Sequence, residues 1–388
     1  MFRNTMLAAA LLFSALLSAP AFAAPLADVA TRKAVDDADK TRAAELMSKA
    51  KNGHFDRRTE RDVANARAFL HLAAHHPDPN ITAAALLGLG RTWDRARNTA
   101  GRPVIDADYI AVVRARLGAA EGQVQQGALR AARLPLGEDK PDAAIINAVM
   151  ALIEKGTPPA QLAGIEAIYN VRSFQRPKPR DPALKARIVT ALLAAVDAPE
   201  EYVAAQAISR LAQVATPDMP KAAELGEKAK ALASHRSPAV RGHALMLAAA
   251  LAGPKATPPE LTARLIAALA DKQPYVRGTA AGIIGARGLL AGTHALMPLL
   301  DDKAKTTLRV GGYTQLDGQK GRLNFRAEGG GRVDEATLRA VSELAKASKT
   351  PFESPPLVGR KRAERRAKGI AEAKAWYAAQ KAKLPPAP

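Results

Sequence analysis

The chain has 388 residues, of which 48% are hydrophobic and 4% are aromatic, so we expect a large core built from Ala, Leu, Val and Ile. Such small side chains favour closely packed helices. Lys and Arg number 57 against 37 Asp and Glu, a net charge of +20, which bears on partners and solubility rather than on fold. Because cysteine is absent, disulfides, a thiolate nucleophile, iron–sulfur clusters and cysteine-ligated zinc are excluded.

Residues 1–23 have the pattern of a secretory signal peptide. Arg3 gives a positive start, residues 6–17 are apolar, and Ala21-Phe22-Ala23 is a small-x-small cleavage site. The apolar stretch is short for an uncleaved membrane anchor. We therefore expect a chain that begins at Ala24 and is exported, either to a periplasm or to the medium. Residues 24–75 are then predicted to form an N-terminal helical cap.

From residue 76 to residue 302 the chain repeats one sequence pattern, a turn followed by a short Ala-rich helix, which we call the repeat phrase. The clearest copies are residues 237–244 (Ser-Pro-Ala-Val-Arg-Gly-His-Ala) and 273–280 (Gln-Pro-Tyr-Val-Arg-Gly-Thr-Ala), in which Pro, Val, Arg, Gly and Ala recur 36 residues apart. Aliphatic anchors give successive steps of 43, 38, 41, 37 and 36 residues. These anchors are Ile81, Val124, Leu162, Val203, Val240 and Val276.

This phrase resembles the HEAT and HEAT-like repeat family, which includes the type found in bilin lyases. The resemblance implies an all-α fold, an α-solenoid of about six helix pairs whose surface binds a protein partner. Helical spacing of apolar residues predicts the second helix of three pairs at 143–152, 184–196 and 261–269.

Six residues of the two clearest copies are assigned a structural role within the repeats. Arg241 is expected to reach an acidic residue of the adjacent unit, with Asp271 as the nearest candidate in sequence. Gly282 and Gly285 are expected to mark close helix packing. The six structural residues are Pro238, Val240, Arg241, Pro274, Val276 and Arg277.

Residues 303–348 break the repeat pattern and are predicted to be a hairpin or loop followed by a capping helix. Leu308 and Val310 alternate with polar residues, as do Leu323 and Phe325, which favours a β-hairpin within 303–332. Helical signals return at Asp334, which we expect to be the N-cap.

Residues 349–388 form a basic tail that is predicted to be helical or partly disordered. Residues 303–388 hold 19 basic and 8 acidic residues, a net charge of +11. An apolar stripe of Ala363, Ala367 and Ile370 is expected on its helix. Six tail residues are the candidates for contact with a polyanion, namely Arg360, Lys361, Arg362, Arg365, Arg366 and Lys368.

Signals for chemistry are weak. His71 and His75 are four residues apart and are the candidate metal ligands, with Asp78 as a third, but the Glu of a His-Glu-x-x-His motif is absent and a solvated or capping pair is favoured. The adjacent Asp301 and Asp302 would point apart on a helix and do not make a catalytic pair. We assign no cofactor and no membrane span after signal removal.

The sequence therefore predicts a non-catalytic exported scaffold that binds an unidentified protein partner through the solenoid surface. The alternative is a polyanion-binding module that uses the basic tail on nucleic acid, acidic polysaccharide, lipopolysaccharide or anionic lipid. A third reading, an enzyme, has no catalytic constellation to support it.

Overall fold

The computed structural model describes residues 69–96, 107–175, 181–253, 257–316, 319–327, 331–352, 356–357 and 361–386. Within these ranges it describes no side chains for residues 91–96, 173 and 309–327. The chain divides into two units, Met1–Phe55 and Asp56–Pro388. The expected signal peptide, most of the expected N-terminal cap and Arg360 lie outside the described residues, and the rest of the fold belongs to the second unit.

Within the described residues the fold is mainly helical, with short helical turns between the longer helices. Residues 69–75 are helical and precede α1. The longer helices are α1 (Pro79–Ala96), α2 (Ala107–Leu117), α3 (Gly122–Leu136), α4 (Ala143–Lys155), α5 (Pro158–Ile168), α6 (Pro182–Val196), α7 (Glu201–Val214), α8 (Ala222–Leu232), α9 (Pro238–Leu251), α10 (Pro259–Ala268), α11 (Pro274–Ala286), α12 (Val333–Ala347) and α13 (Arg362–Gln380). The short turns are Arg172–Gln175, Leu290–Gly292, Thr293–Leu296, Met297–Asp301 and Lys381–Lys383.

Local sequence explains where many of these helices begin. Helices α1, α5, α6, α9, α10 and α11 start with Pro, whose missing N–H is not needed in the first turn. Asp142 and Asp181 accept hydrogen bonds from the backbone N–H of Ile145 (2.9 Å) and Leu184 (2.8 Å), so they cap α4 and α6. The three predicted second helices correspond to α4, α6 and α10 and are confirmed.

The helices lie in two rows. The first row contains α1, α3, α5, α7, α9 and α11, each of which packs against the next, and all six predicted aliphatic anchors lie near the starts of these helices and are buried. The second row contains α2, α4, α6, α8 and α10, each packed on the first-row helix that follows it. With residues 69–75, which cover Gly88 of α1 through Phe69, this gives six helix pairs and confirms the predicted α-solenoid.

Small residues set the close approach of first-row helices. A Cβ on Gly127 of α3 would lie 2.8 Å from the carbonyl oxygen of Ala83 in α1, so only glycine fits at that crossing. Small residues at such crossings let neighbouring helices approach closely, because larger side chains would hold the helices apart.

The predicted hairpin is present. Strand β1 (Leu308–Leu316) pairs antiparallel with β2 (Gln319–Ala327), and a bridge between Lys305 and Arg332 extends the pairing at its base. Strand β1 also runs close to α7, two helix pairs back along the solenoid.

Two helices cover the C-terminal end of the first row. Helix α12 packs on α11. Its first residue is Val333, and Arg332 occupies the N-cap position. The expectation that Asp334 is the N-cap is wrong, because Asp334 lies within the first turn and its carboxylate pairs with Arg332 (2.6 Å). Helix α13 then packs on α12.

The buried face of α13 differs from the predicted stripe. Ala363 and Ala367 are exposed, Ile370 is partly buried against the core, and Gly369, Ala373 and Trp376 are buried. The prediction failed because the tail has many Ala residues, so apolar spacing alone could not identify the face that carries the tryptophan.

Candidate interaction surface

Three open grooves follow one another along the second row. The first lies between α4 and α6 and has a volume of about 310 Å³. The second lies between α6 and α8 and has a volume of about 530 Å³. The third lies beside α8 and α10 and has a volume of about 380 Å³. We call this series of grooves the groove face, and Thr190 of α6 lines both the first and the second groove.

Each groove is lined by both apolar and charged residues. In the α6/α8 groove, Leu193, Ala194 and Ala231 supply the apolar surface. The charged residues that line it, which we call its rim, are Asp197, Lys221, Glu224, Glu227 and Lys228. The groove therefore offers both signs of charge beside apolar surface.

Ion pairs organise this rim. Lys228 pairs with Asp197 across the groove, and Lys221 pairs with Glu224 along α8 (3.2 Å). The side chains of Asp197 and Glu224 are 62% and 58% exposed, so these pairs contribute little to stability and their charges remain accessible from solvent.

The arginines of the repeat phrase connect consecutive units. Arg241 donates two hydrogen bonds of 2.8 Å to the carboxylate of Asp271, and it also donates to the carbonyl oxygens of His235 and Arg236. Burial would raise the pKa of Asp271, but hydrogen bonds from Arg241 and from the backbone hold that pKa below its usual range. The predicted contact between neighbouring units is therefore present at this position.

The next arginine repeats the arrangement. Arg277 donates to the carboxylate of Asp302 (2.6 and 2.8 Å) and to the carbonyl oxygen of Asp271 (2.7 Å). Pro238 and Pro274 open the two helices, and Val240 and Val276 are buried beneath them. These residues therefore lie in the packing between units, and Asp271 and Val276 also line the third groove.

The two glycines of α11 differ. A Cβ on Gly285 would lie 2.8 Å from the Cβ of Ala340 and closer still to its Cα, so this glycine allows α12 to approach. Gly282 is exposed with open space around it, so the expectation of close packing there is wrong.

Part of the basic tail is engaged within the fold. Glu335 of α12 is 1% exposed and accepts hydrogen bonds from Arg362 (Nε, 2.9 Å) and Arg366 (Nη1, 2.9 Å) of α13. Burial would raise the pKa of Glu335, but these two guanidinium groups hold it below its usual value. We call this arrangement the C-terminal clasp.

The other candidate residues of the tail lie outside the clasp. Lys361 and Lys368 are exposed, and Lys368 lies 3.7 Å from Glu372 on the same helix. Arg365 is half-buried and donates to the carbonyl oxygen of Pro356 (3.4 Å). The six predicted contact residues therefore do not form one uniform basic patch.

The residues considered as metal ligands or as a catalytic acidic pair make contacts of a different kind. The rings of His71 and His75 lie 4.9 Å apart, while Asp78 accepts from the backbone of Asn80 at the start of α1. Asp301 binds Lys374 (2.9 Å), so it and Asp302 have different partners. In the described part of the chain, no three His, Cys, Asp or Glu side chains are grouped so that they could hold a metal ion.

The hairpin register groups the cations of the two strands on one face. Directly opposite residues of an antiparallel pair lie on the same face, and the face alternates along each strand. The register therefore places Arg309, Lys320, Arg322 and Arg326 on one face. The sequence shows that Lys320, Arg322 and Arg326 are spaced by even numbers of residues. Only the register shows that Arg309 shares their face.

None of the helices in the described ranges combines the length and the apolar character needed to cross a bilayer. No family model matches the chain, and no curated protein matches it. Among solved structures, it is similar to an engineered protein determined by the Northeast Structural Genomics Consortium, with 16% identity over 87% of this chain and 79% of that chain and a TM-score of 0.46.

A second similar structure is that of importin beta crystallised in an ammonium sulfate condition. The identity is 13%, the TM-score is 0.45, and the match covers 76% of this chain but only 36% of importin beta. The packing of its own helices in two rows makes the chain an α-solenoid of helix pairs that carries a β-hairpin near its C-terminal end.

Proposed function

We propose that the chain is a non-catalytic scaffold that binds a protein partner through the groove face. The observation that carries the proposal is the series of three open grooves, each lined by both apolar and charged residues. Protein–protein interfaces combine apolar contacts with polar and charged groups. Stacked helix pairs supply such a surface over several units rather than at one cavity.

The charges of the rim favour a protein over a polyanion at this face. The α6/α8 groove carries three acidic and two basic residues, so a uniformly negative ligand would meet repulsion there. A protein surface of mixed charge can satisfy both signs. The tail alternative has less support, because Arg362 and Arg366 are already engaged by Glu335.

The proposal includes export, with cleavage after Ala23. Mass spectrometry of the chain recovered from the producing cell's envelope and medium tests this part. We expect a chain that begins at Ala24, and an intact Met1 in all fractions would refute export.

Site-specific photo-crosslinking tests the binding surface. A photoreactive amino acid replaces Thr190, which is exposed and lines two grooves, and a control replaces Gln213, which is exposed at the end of first-row helix α7. We expect one defined protein adduct from position 190 and none from position 213. The adduct should disappear when Glu224→Lys and Glu227→Lys reverse the charge of the rim.

A crosslink of equal strength from both positions would contradict the proposal. So would an adduct at position 190 that survives charge reversal of the rim, because the groove would then not be what the partner recognises.

A further inference from the structure

The β-hairpin has one basic and one apolar face. Strands β1 and β2 contain four cations and no acidic residue. The register places all four cations on the face that also holds Tyr313, Gln315 and Asn324. The other face holds the apolar residues Leu308, Val310, Leu316, Leu323, Phe325 and Ala327.

The apolar face has a partner at its base. Leu308, the first residue of β1, packs against the buried cluster formed by helices α9 to α13. Strand β1 also runs close to α7. The hairpin therefore runs beside the solenoid, and the first residue of its apolar face packs on the core.

Two cations of the basic face lie directly opposite each other across the strands. Arg309 and Arg326 are direct cross-strand partners. Like charges in this position destabilise an antiparallel pair. Neither strand supplies an acidic residue, so an anionic ligand on this face would offset the repulsion between these cations.

The cations follow a line rather than a broad patch. Successive pairs on one face of a hairpin are separated by about 6.8 Å along the strands, because each residue rises about 3.4 Å. The four pairs of this face, from Arg309–Arg326 to Gln315–Lys320, therefore extend over about 20 Å along a ribbon two residues wide. A line of this kind suits a linear polyanion better than a planar membrane.

We propose that this face of the hairpin, defined by Arg309, Lys320, Arg322 and Arg326 with Tyr313 among them, binds single-stranded nucleic acid. Sites for single strands combine cations that follow the backbone with aromatic side chains on which bases stack. Tyr313 is the cross-strand partner of Arg322, so both kinds of group occur at one position of the ribbon. The inference uses a different surface from the groove face and does not depend on the proposed protein partner.

The test measures binding of a fluorescent 20-nucleotide oligothymidylate to the full chain between about 50 and 200 mM salt. Four phosphate contacts give a log–log salt slope of about −2.8, which weakens binding about 50-fold over this range. Replacing all four hairpin cations by Gln should reduce the steepness of the slope by about 2.8. The single variant Arg322→Gln should reduce it by about 0.7.

A matched control removes the same charge from the tail. The control variant replaces four exposed lysines of α13 and the residues around it by Gln, namely Lys361, Lys368, Lys381 and Lys383. We expect its salt slope to equal that of the unmodified chain. A tail variant that loses as much binding as the hairpin variant, or a hairpin variant that binds normally, would overturn the proposal.

Tyr313→Ala identifies the kind of polyanion. Stacking of one base is worth a loss of roughly 5- to 150-fold in affinity when the aromatic ring is removed. We expect this loss for the oligothymidylate but not for heparin or for phosphatidylglycerol vesicles. If those two probes bind as tightly as the oligonucleotide and Tyr313→Ala has no effect, the site is not one for single strands.

Discussion

Neutralising Glu335 should weaken the C-terminal clasp and release α13. Glu335 is 1% exposed, and Glu335→Gln keeps its size while removing the charge that holds Arg362 and Arg366. Arg362 is 47% exposed and can return to water, so we count only the bond from Arg366, which is 18% exposed. One hydrogen bond to a charged buried group is worth about 1.5–3 kcal/mol, and we expect a loss of that size.

Trp376 reports on the clasp. It lies on α13, is 7% exposed, and its indole N–H donates to the hydroxyl of Thr350 (3.0 Å). With Trp93, the chain's other tryptophan, replaced by Phe, urea titration followed by Trp376 emission measures release of α13. The clasp variant should show a red-shifted emission at a lower urea concentration than its parent.

Glu343→Gln is the matched control. It lies on the same helix, its side chain is 51% exposed, and it pairs with Lys346 one turn away. Its loss should change the free energy of unfolding by less than about 0.5 kcal/mol. If Glu335→Gln behaves like Glu343→Gln, the clasp does not hold α13 and the reasoning fails.

The clasp also predicts a pH dependence. The pKa of Glu335 is held below its ordinary value of 4.5. For a carboxyl with a lowered pKa, the stabilisation is complete above the ordinary value and is lost as the pH falls through the folded value. The difference in unfolding free energy between the parent and Glu335→Gln should therefore shrink as the pH is lowered from about 6 to about 3. A difference that stays constant over this range would contradict the assignment.

Three further predictions concern the helix packing. Gly282→Ala should raise the free energy of unfolding by about 0.5–1 kcal/mol in thermal melts, because its site is open, whereas Gly285→Ala should lower it by about 1–3 kcal/mol, because α12 occupies the space. Equal effects would refute this packing. A double-mutant cycle of Arg277→Ala with Asp302→Ala should give a coupling free energy of about 0.5–3 kcal/mol. A coupling of zero would contradict the assignment of this pair as a stabilising contact between units. Burial raises the pKa of Tyr275 to about 12, so the un-ionised phenol signal that an ultraviolet titration retains at pH 11 should fall by about one tyrosine in Tyr275→Phe.

The repeat architecture was predictable because its signals are local. Proline at a helix start and an aliphatic residue two positions later, as in the copies around Val240 and Val276, identify first-row helices without knowledge of the fold. The pairing of Arg241 with Asp271 followed because the repeat length brings the loop of one unit beside the helix of the unit before it. The spacing of about forty residues therefore carried information about tertiary contacts as well.

The features that were missed depend on contacts between distant segments. Arg362 is 27 residues from Glu335, and no pattern in the tail distinguishes an arginine that meets a buried carboxylate from one that faces solvent. The basic face of the hairpin likewise requires the register that sets Arg309 opposite Arg326. Gly282 and Gly285 look alike in sequence, and only the position of α12 separates them.

Amide hydrogen exchange of the whole chain tests most directly the claim that the fold is a solenoid held together by its first row. First-row helices such as α7 and α9 pack on neighbours along the row and on a second-row helix, whereas α8 and α10 border open grooves. Amides near the middle of α7 and α9 should therefore exchange more slowly than those of α8 and α10. Faster exchange in the first row than in the second, or equal exchange in both, would contradict the account.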